Sequence, residues 1–236
     1  MNGFQGEFLG TMVLILLGDG VVAGVLLNRS KAQNGGWIVV TAGWALAVMA
    51  GVFTARRFGG PGFINPVGPL AALVLGDPQS SDVAPLIAGE FLGAFTGAVL
   101  VWLHYLPHWS ETSDRGLKLA VFCTSPAIRR PPMNMLSEAI ATFLLVFVSA
   151  AFVEKEVGRP FIAPLAGALV WGIGLSLGGP TGYAINPARD IAPRFAHAVL
   201  PISGKGGSDW SYAWVPVVGP IVGAMAAAFL LRTLSN

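Results

Sequence analysis

"TGYAINPARD", residues 181–190, lies in the second half of the chain, and "GPGFINPVGP", residues 60–69, echoes it in the first. In each, Asn-Pro leads into a short apolar run: Val67 to Leu75, stopped by Gly76-Asp77-Pro78, and Ala188 to about Ala198, closed by Leu200-Pro201. Asparagine is a favoured helix N-cap and proline a favoured first helical residue, so Asn65-Pro66 and Asn186-Pro187 read as helix starts. At 1.5 Å per residue, ten residues reach roughly 15 Å, about half the hydrocarbon thickness of a bilayer. Two such half-helices entering from opposite faces would meet at the midplane.

The surrounding composition is that of an integral membrane protein. Of 236 residues, 54% are hydrophobic and 11% charged, where soluble domains carry about 25% charged residues; mean hydropathy is +0.67. The net charge of +2 comes with no basic run or aromatic-interleaved patch, which excludes nucleic acid as a partner. Cys123 is the lone cysteine, so the chain can build neither an internal disulfide nor a thiolate metal site. Six stretches are long and apolar enough to span: about 4–27, 37–56, 84–106, 134–153, 160–179 and 213–233. The first lacks a basic lead-in and a small-residue cleavage site, and is read as a retained span. Six spans place both termini on the same side.

A polar linker, residues 107–133, divides the chain into halves of about 1–106 and 134–236. "EFLGT", Glu7 to Thr11, opens the first half and "EAIAT", Glu138 to Thr142, the second. Each half has three spans and an Asn-Pro site after the second of them. Three is odd, so the second half enters from the opposite side, making one membrane channel domain of two inverted repeats. The fold expected is all-α: six transmembrane helices plus two re-entrant half-helices. Irregular backbone at membrane depth is tolerated where it is buried in protein or lines a watery cavity, so the loops leading into the half-helices predict a pore. Their carbonyls offer acceptors along one wall, the helix N-termini aim partial positive charge at the centre, and the asparagine amides add donors.

On these residues the chain resembles the aquaporin or major intrinsic protein family over essentially its whole length, and within it the glycerol-conducting aquaglyceroporin branch. "GYAINPARD" is close to that branch's pattern, including Asp190 after the arginine. The resemblance implies a constriction formed by Trp44, Gly174, Tyr183 and Arg189, a pore centre at Asn65-Pro66 and Asn186-Pro187, and loop support from Glu7, Glu138 and Asp190. Water-selective members typically carry histidine at the position of Gly174, so the glycine implies a wider ring here. Arg189 would offer donors to hydroxyl oxygens, with Trp44 and Tyr183 as the apolar corner for a polyol's C–H side. Arg189 and the two helix ends would together repel cations. Val67 replaces the usual alanine, Phe63 a common histidine, and Tyr183 a usual phenylalanine, the last making the corner slightly more polar.

The expected function is passive conduction of glycerol, water and other small neutral solutes, such as dihydroxyacetone, urea or hydrogen peroxide, with protons and ions excluded. The alternatives are a mainly water-selective channel and an ion-coupled secondary transporter, which also uses inverted repeats and broken helices. No nucleophile with a base, metal cluster or phosphate loop is present, so neither an enzyme nor a cofactor is expected. The resemblance further implies a homotetramer in the lipid bilayer of the plasma membrane, with cytoplasmic termini. Charge bias mildly favours the reverse orientation, because Arg29, Lys31, Arg115, Lys118, Arg129, Arg130 and Lys205 fall outside, against Arg56, Arg57, Lys155, Arg159 and Arg232 inside.

Several residues keep open readings. Glu90 is expected to be protonated or bound to a loop amide, with a pH gate as the lesser reading. Asp19 either lines a vestibule or caps backbone amides. His104, His108 and His197 lack ligand spacing and read as interfacial or loop residues. Gly89, Gly93 and Gly97, with Gly219 and Gly223, have the spacing that lets helix backbones approach closely.

Overall fold

The computed structural model describes residues 2–77, 82–151 and 159–235. Eight helices correspond to the six spans and two half-helices: α1 (Gly3–Leu26), α2 (Trp37–Arg57), α3 (Val67–Leu75) and α4 (Val83–His104) in the first half, and α7 (Pro131–Ala151), α8 (Ile162–Leu177), α9 (Pro187–Val199) and α10 (Val215–Leu234) in the second. The fifth span is shorter than its apolar stretch, because a 3₁₀ turn at Arg159–Phe161 precedes α8. Pro78, Phe152, Val153 and Lys155, which entered the sequence reading, lie outside the described residues.

Two more helices occupy the linker, where a polar connection was expected: α5 (Leu106–Glu111) and α6 (Arg115–Phe122). Asp114 caps α6 by accepting the Gly116 and Leu117 N–H groups at 2.7 and 3.1 Å. The segment is amphipathic and not merely polar: Trp109 and Phe122 are buried and stack at 5.6 Å, and Trp109 donates to the Trp102 carbonyl at 2.9 Å. Cys123, which follows α6, is buried too.

Packing follows the duplication. In each half the first helix packs against the second and the last, α1 with α2 and α4, and α7 with α8 and α10. The half-helices cross over, α3 lying on α10 and α9 on α4. Glycine makes the closest approaches possible. A Cβ on Gly93 would stand 2.2 Å from the Phe8 carbonyl oxygen of α1, and one on Gly223 2.1 Å from that of Ala139 in α7. Large apolar side chains away from the central cavity, among them Ile38, Leu46, Leu92 and Phe229, are exposed, as they are where the solvent is lipid.

The half-helix ends are held by name. Gly76, at φ 74°, closes α3, with the Asp77 N–H returning to the Ala72 carbonyl at 3.0 Å. Arg232 donates to the Val74 carbonyl at 3.4 Å. At the end of α9, the Lys205 ammonium donates to the carbonyls of His197, Ala198 and Leu200 at 2.6 to 2.7 Å. Lys118 in α6 likewise donates to the Ser203 carbonyl.

Gly93→Ala is expected to destabilise the protein by roughly 1–3 kcal/mol through overpacking against α1. Gly172→Ala, in α8 with nothing within 4 Å of its added Cβ, should instead stabilise it by up to about 1 kcal/mol through helix propensity. Thermal unfolding in detergent reads the two opposite signs.

Candidate functional site

A cavity of about 1350 Å³ runs between the halves. Its wall includes Arg56, the loop 59–63, Asn65, the loop 182–185, Asn186, Trp44 and Arg189.

At its centre the two Asn-Pro sites are tied to each other. Asn186 Oδ1 accepts the N–H groups of Ala188 and Arg189 at 3.0 and 3.1 Å, capping α9, and Pro187 is the first helical residue. Asn65 Oδ1 accepts the Val67 N–H at 3.2 Å, and α3 begins one residue later than the sequence reading placed it, after Pro66. Each amide also crosses the midline: Asn65 Nδ2 donates to the Ile185 carbonyl and Asn186 Nδ2 to the Ile64 carbonyl, both at 2.8 Å. Every amide nitrogen carries two hydrogens, so one N–H per asparagine remains for a solute. Ile64 and Ile185 have φ of 46° and 44°, a left-handed backbone costly for β-branched residues. That conformation aims each carbonyl at the opposite asparagine.

Two buried glutamates hold these loops. Glu7 accepts the N–H groups of Gly62 (2.6 Å), Phe63 (3.2 Å) and Ile64 (2.6 Å); Glu138 accepts those of Ala184 (3.0 Å) and Ile185 (2.8 Å). Glu90 accepts the Asn65 N–H at 3.1 Å. Phe63 lines the cavity and packs on Gly68, where a Cβ would meet its ring at 2.7 Å.

Asp190 lies behind the wall, fully buried. It accepts the Thr124 N–H and hydroxyl, each at 2.7 Å, and pairs with Arg194 at 2.7 Å. Arg194 is fully buried as well and reaches the carbonyls of Thr124, Ser208 and Asp209 at 2.9 to 3.0 Å, pinning two loops to α9. Sequence reading passed over Arg194, although its i,i+4 spacing from Asp190 is a pairing signal. His197, expected at an interface or in a loop, is buried in α9 with Nδ1 2.9 Å from the Ser208 hydroxyl.

Farther along the cavity, the Arg189 guanidinium lies 4.1 Å from the centre of the Trp44 ring. Its Nη1 is 3.5 Å from both the Phe122 carbonyl and Asp19 Oδ1. Asp19 is fully buried, and neither of its oxygens accepts a hydrogen bond from the described residues. It therefore neither lines a vestibule nor caps amides. It was misread because its contact with Arg189 spans 170 positions of sequence.

Gly174 is not part of the cavity wall. A Cβ there would stand 2.8 Å from Tyr183 Cζ and 3.0 Å from its hydroxyl, and the Tyr183 ring also packs edge-on against Trp37 at 5.7 Å. The bare position thus makes room for the tyrosine ring, where the sequence reading assigned that room to the solute. The Tyr183 hydroxyl is buried and has no hydrogen-bond partner among the described residues. Trp37, which donates to the Gly174 carbonyl at 3.0 Å, completes this slot and was not anticipated. Among the described residues no group of three or more His, Cys, Asp or Glu could hold a metal.

A family profile described as major intrinsic protein matches residues 2–231. The chain is 52% identical over 234 residues to a Thermotoga maritima protein named "Probable glycerol uptake facilitator protein", covering 99% of this chain and 100% of that one. It is 52% identical over 229 residues to "Glycerol uptake facilitator protein 3" of Lactiplantibacillus plantarum, covering 97% and 95% respectively. The X-ray structure of the aquaglyceroporin from Plasmodium falciparum superposes with a TM-score of 0.86 at 27% identity, covering 99% of this chain and 96% of that one.

The shared slot makes Gly174 and Tyr183 interdependent. Gly174→Ala is expected to cost roughly 1–3 kcal/mol by overpacking, and clearly less when Tyr183→Ala has emptied the slot. Thermal unfolding of the four proteins decides, and equal costs in both backgrounds would place the ring elsewhere.

Proposed function

Because the chain belongs to the major intrinsic protein family, we propose that it is a passive channel for glycerol, water and other small neutral solutes, and not an enzyme. The observation that carries this reading is the contrast between the walls of the cavity. Trp44 and the Tyr183 ring present apolar surface, while Arg189 and one N–H from each of Asn65 and Asn186 present donors. A polyol has matching faces, carbon-bound hydrogens on one side and hydroxyl oxygens on the other. Trp44, Gly174, Tyr183 and Arg189 are proposed as the selectivity constriction, Gly174 acting through the placement of Tyr183. Asn65-Pro66 and Asn186-Pro187 form the centre of the single channel domain, and Glu7, Glu138 and Asp190 hold its loops. The names of the relatives in Thermotoga and Lactiplantibacillus support glycerol as a solute.

Ion exclusion follows from the same parts. A cation in single file sheds hydration and meets two helix N-termini, each carrying roughly half a positive charge. Asp77 and Asp82 are the acidic residues of the cavity's described lining, and no group of three or more acidic, histidine or cysteine side chains gathers among the described residues to replace that hydration, which weighs against an ion-coupled transporter. A mainly water-conducting channel remains the second reading, favoured by the way Tyr183 fills the space beside Gly174.

The proposed setting is the plasma membrane, as a homotetramer with cytoplasmic termini. The contrary charge bias is weakened by where the outer cations sit. Lys118 is committed to the Ser203 carbonyl and Lys205 to the carbonyls that end α9, and Arg29 and Arg129 pair with Glu111 and Asp209.

Stopped-flow light scattering on proteoliposomes tests the function. Glycerol re-swelling is expected to be at least about tenfold faster than in protein-free vesicles, equivalent to lowering the barrier by ~1.4 kcal/mol or more. Fast water flux without glycerol flux would transfer the assignment to the water-channel reading.

A further inference from the structure

We propose that Asp19 is the counter-ion of Arg189, a positioning residue that fixes the guanidinium and cancels its charge so that the constriction does not hold anions. The inference rests on the channel reading above and adds to it a residue that touches no solute.

Asp19 sits in the middle of α1, flanked by Gly18 and Gly20. Gly18 is where Trp44 packs, its ring 2.3 Å from the place a Cβ would take. The Arg189 guanidinium lies over the other part of this assembly, 4.1 Å from the Trp44 ring centre. Its Nη1 points to Asp19 Oδ1 and the Phe122 carbonyl, each 3.5 Å away, and both lie off the cavity wall. Nε and Nη2 make no bond to the described residues and remain available to a solute. The side chains are 8% and 0% exposed for Arg189 and Asp19, so water does little to screen one from the other.

A buried carboxylate with no hydrogen-bond donor is costly unless a cation compensates it. The other nearby charge is Asp190, of like sign and already paired with Arg194. Arg189 is therefore the group that makes Asp19 tolerable, and the dependence runs both ways. Without Asp19, Arg189 and two helix ends would place roughly two positive charges around a narrow, poorly hydrated passage, which would trap anions as well as repel cations. With Asp19, about one remains, contributed by the half-helices. Cations are still repelled, and the anion well is gone.

The experiment compares the wild type with Asp19→Asn, Arg189→Gln and the double variant. In proteoliposomes, Asp19→Asn should raise the chloride-to-potassium permeability ratio by about tenfold or more, since unit charges a few Å apart interact by several RT even at an effective dielectric of ~20. Arg189→Gln leaves Asp19 unpaired and should lower both the thermal midpoint and that ratio. Adding Asp19→Asn to it should bring both back toward wild-type values. An ion selectivity in Asp19→Asn equal to wild type would overturn the proposal, as would a double variant no better than Arg189→Gln. If either single variant fails to fold, recovery of folded protein in the double supports the pairing and continued failure overturns it. Absence of any solute flux in wild-type vesicles would instead sink the channel reading, while the stability comparison would still decide the ion pair.

Discussion

The reciprocal hydrogen bonds between Asn65 and the Ile185 carbonyl, and between Asn186 and the Ile64 carbonyl, are the constraint on which the rest of the molecule depends. They join the N-termini of two helices that come from different halves of the chain and that would otherwise repel through their like dipole ends. Each asparagine oxygen also accepts an N–H from the start of its own helix, Asn186 as the N-cap of α9 and Asn65 from one residue before the cap of α3, so a single side chain links the start of a helix, the loop before it and the other half. The strained isoleucines persist because the surrounding bonds over-determine them.

Support for that junction is distributed unevenly. In the second half, Glu138 holds the loop and the Asp190–Arg194 pair ties α9 to the loops that follow α6 and α9. In the first half, Glu7 shares the task with Glu90, whose counterpart among the glycines of α10 is Pro220, flanked by Gly219 and Gly223 as Glu90 is by Gly89 and Gly93. The duplicated scaffold therefore carries two different electrostatic solutions. Buried ionisable groups are expensive in a membrane interior; Glu7 and Glu138 are met by backbone N–H groups and Asp190 by Arg194 and Thr124, while Glu90 has one oxygen on the Asn65 N–H and the other without a hydrogen bond among the described residues.

Much of this was legible in the sequence. Hydropathy and the repeated Asn-Pro gave the eight helices of the two halves, because span length and capping are local properties. Glycine spacing pointed to close helix approach, since small residues four positions apart recur on one face, but which helices meet there, α4 on α1 and α10 on α7, came from the structure. What escaped were contacts set by the approach of distant elements. Asp19 against Arg189 and Trp37 against Gly174 leave no local pattern, and the burial of α6 depends on a partner surface that the linker's own composition does not reveal. Gly174 shows how an absent side chain can mislead. Whether a missing Cβ widens a passage or admits a neighbouring ring is decided by that neighbour, here Tyr183.

The cations at the far ends of the half-helices have a consequence for the centre. A helix viewed from outside is normally a balanced pair of poles, and its field falls off quickly because one pole offsets the other. Lys205 binds the last carbonyls of α9, and Arg232 reaches a carbonyl near the end of α3. With those negative poles neutralised, each half-helix acts toward the midplane as a monopole. The positive potential at the asparagines is then set in part by residues about 14 to 20 Å away at the far ends of helices of nine and thirteen residues, so the field at the centre is partly anchored at the opposite ends of the half-helices.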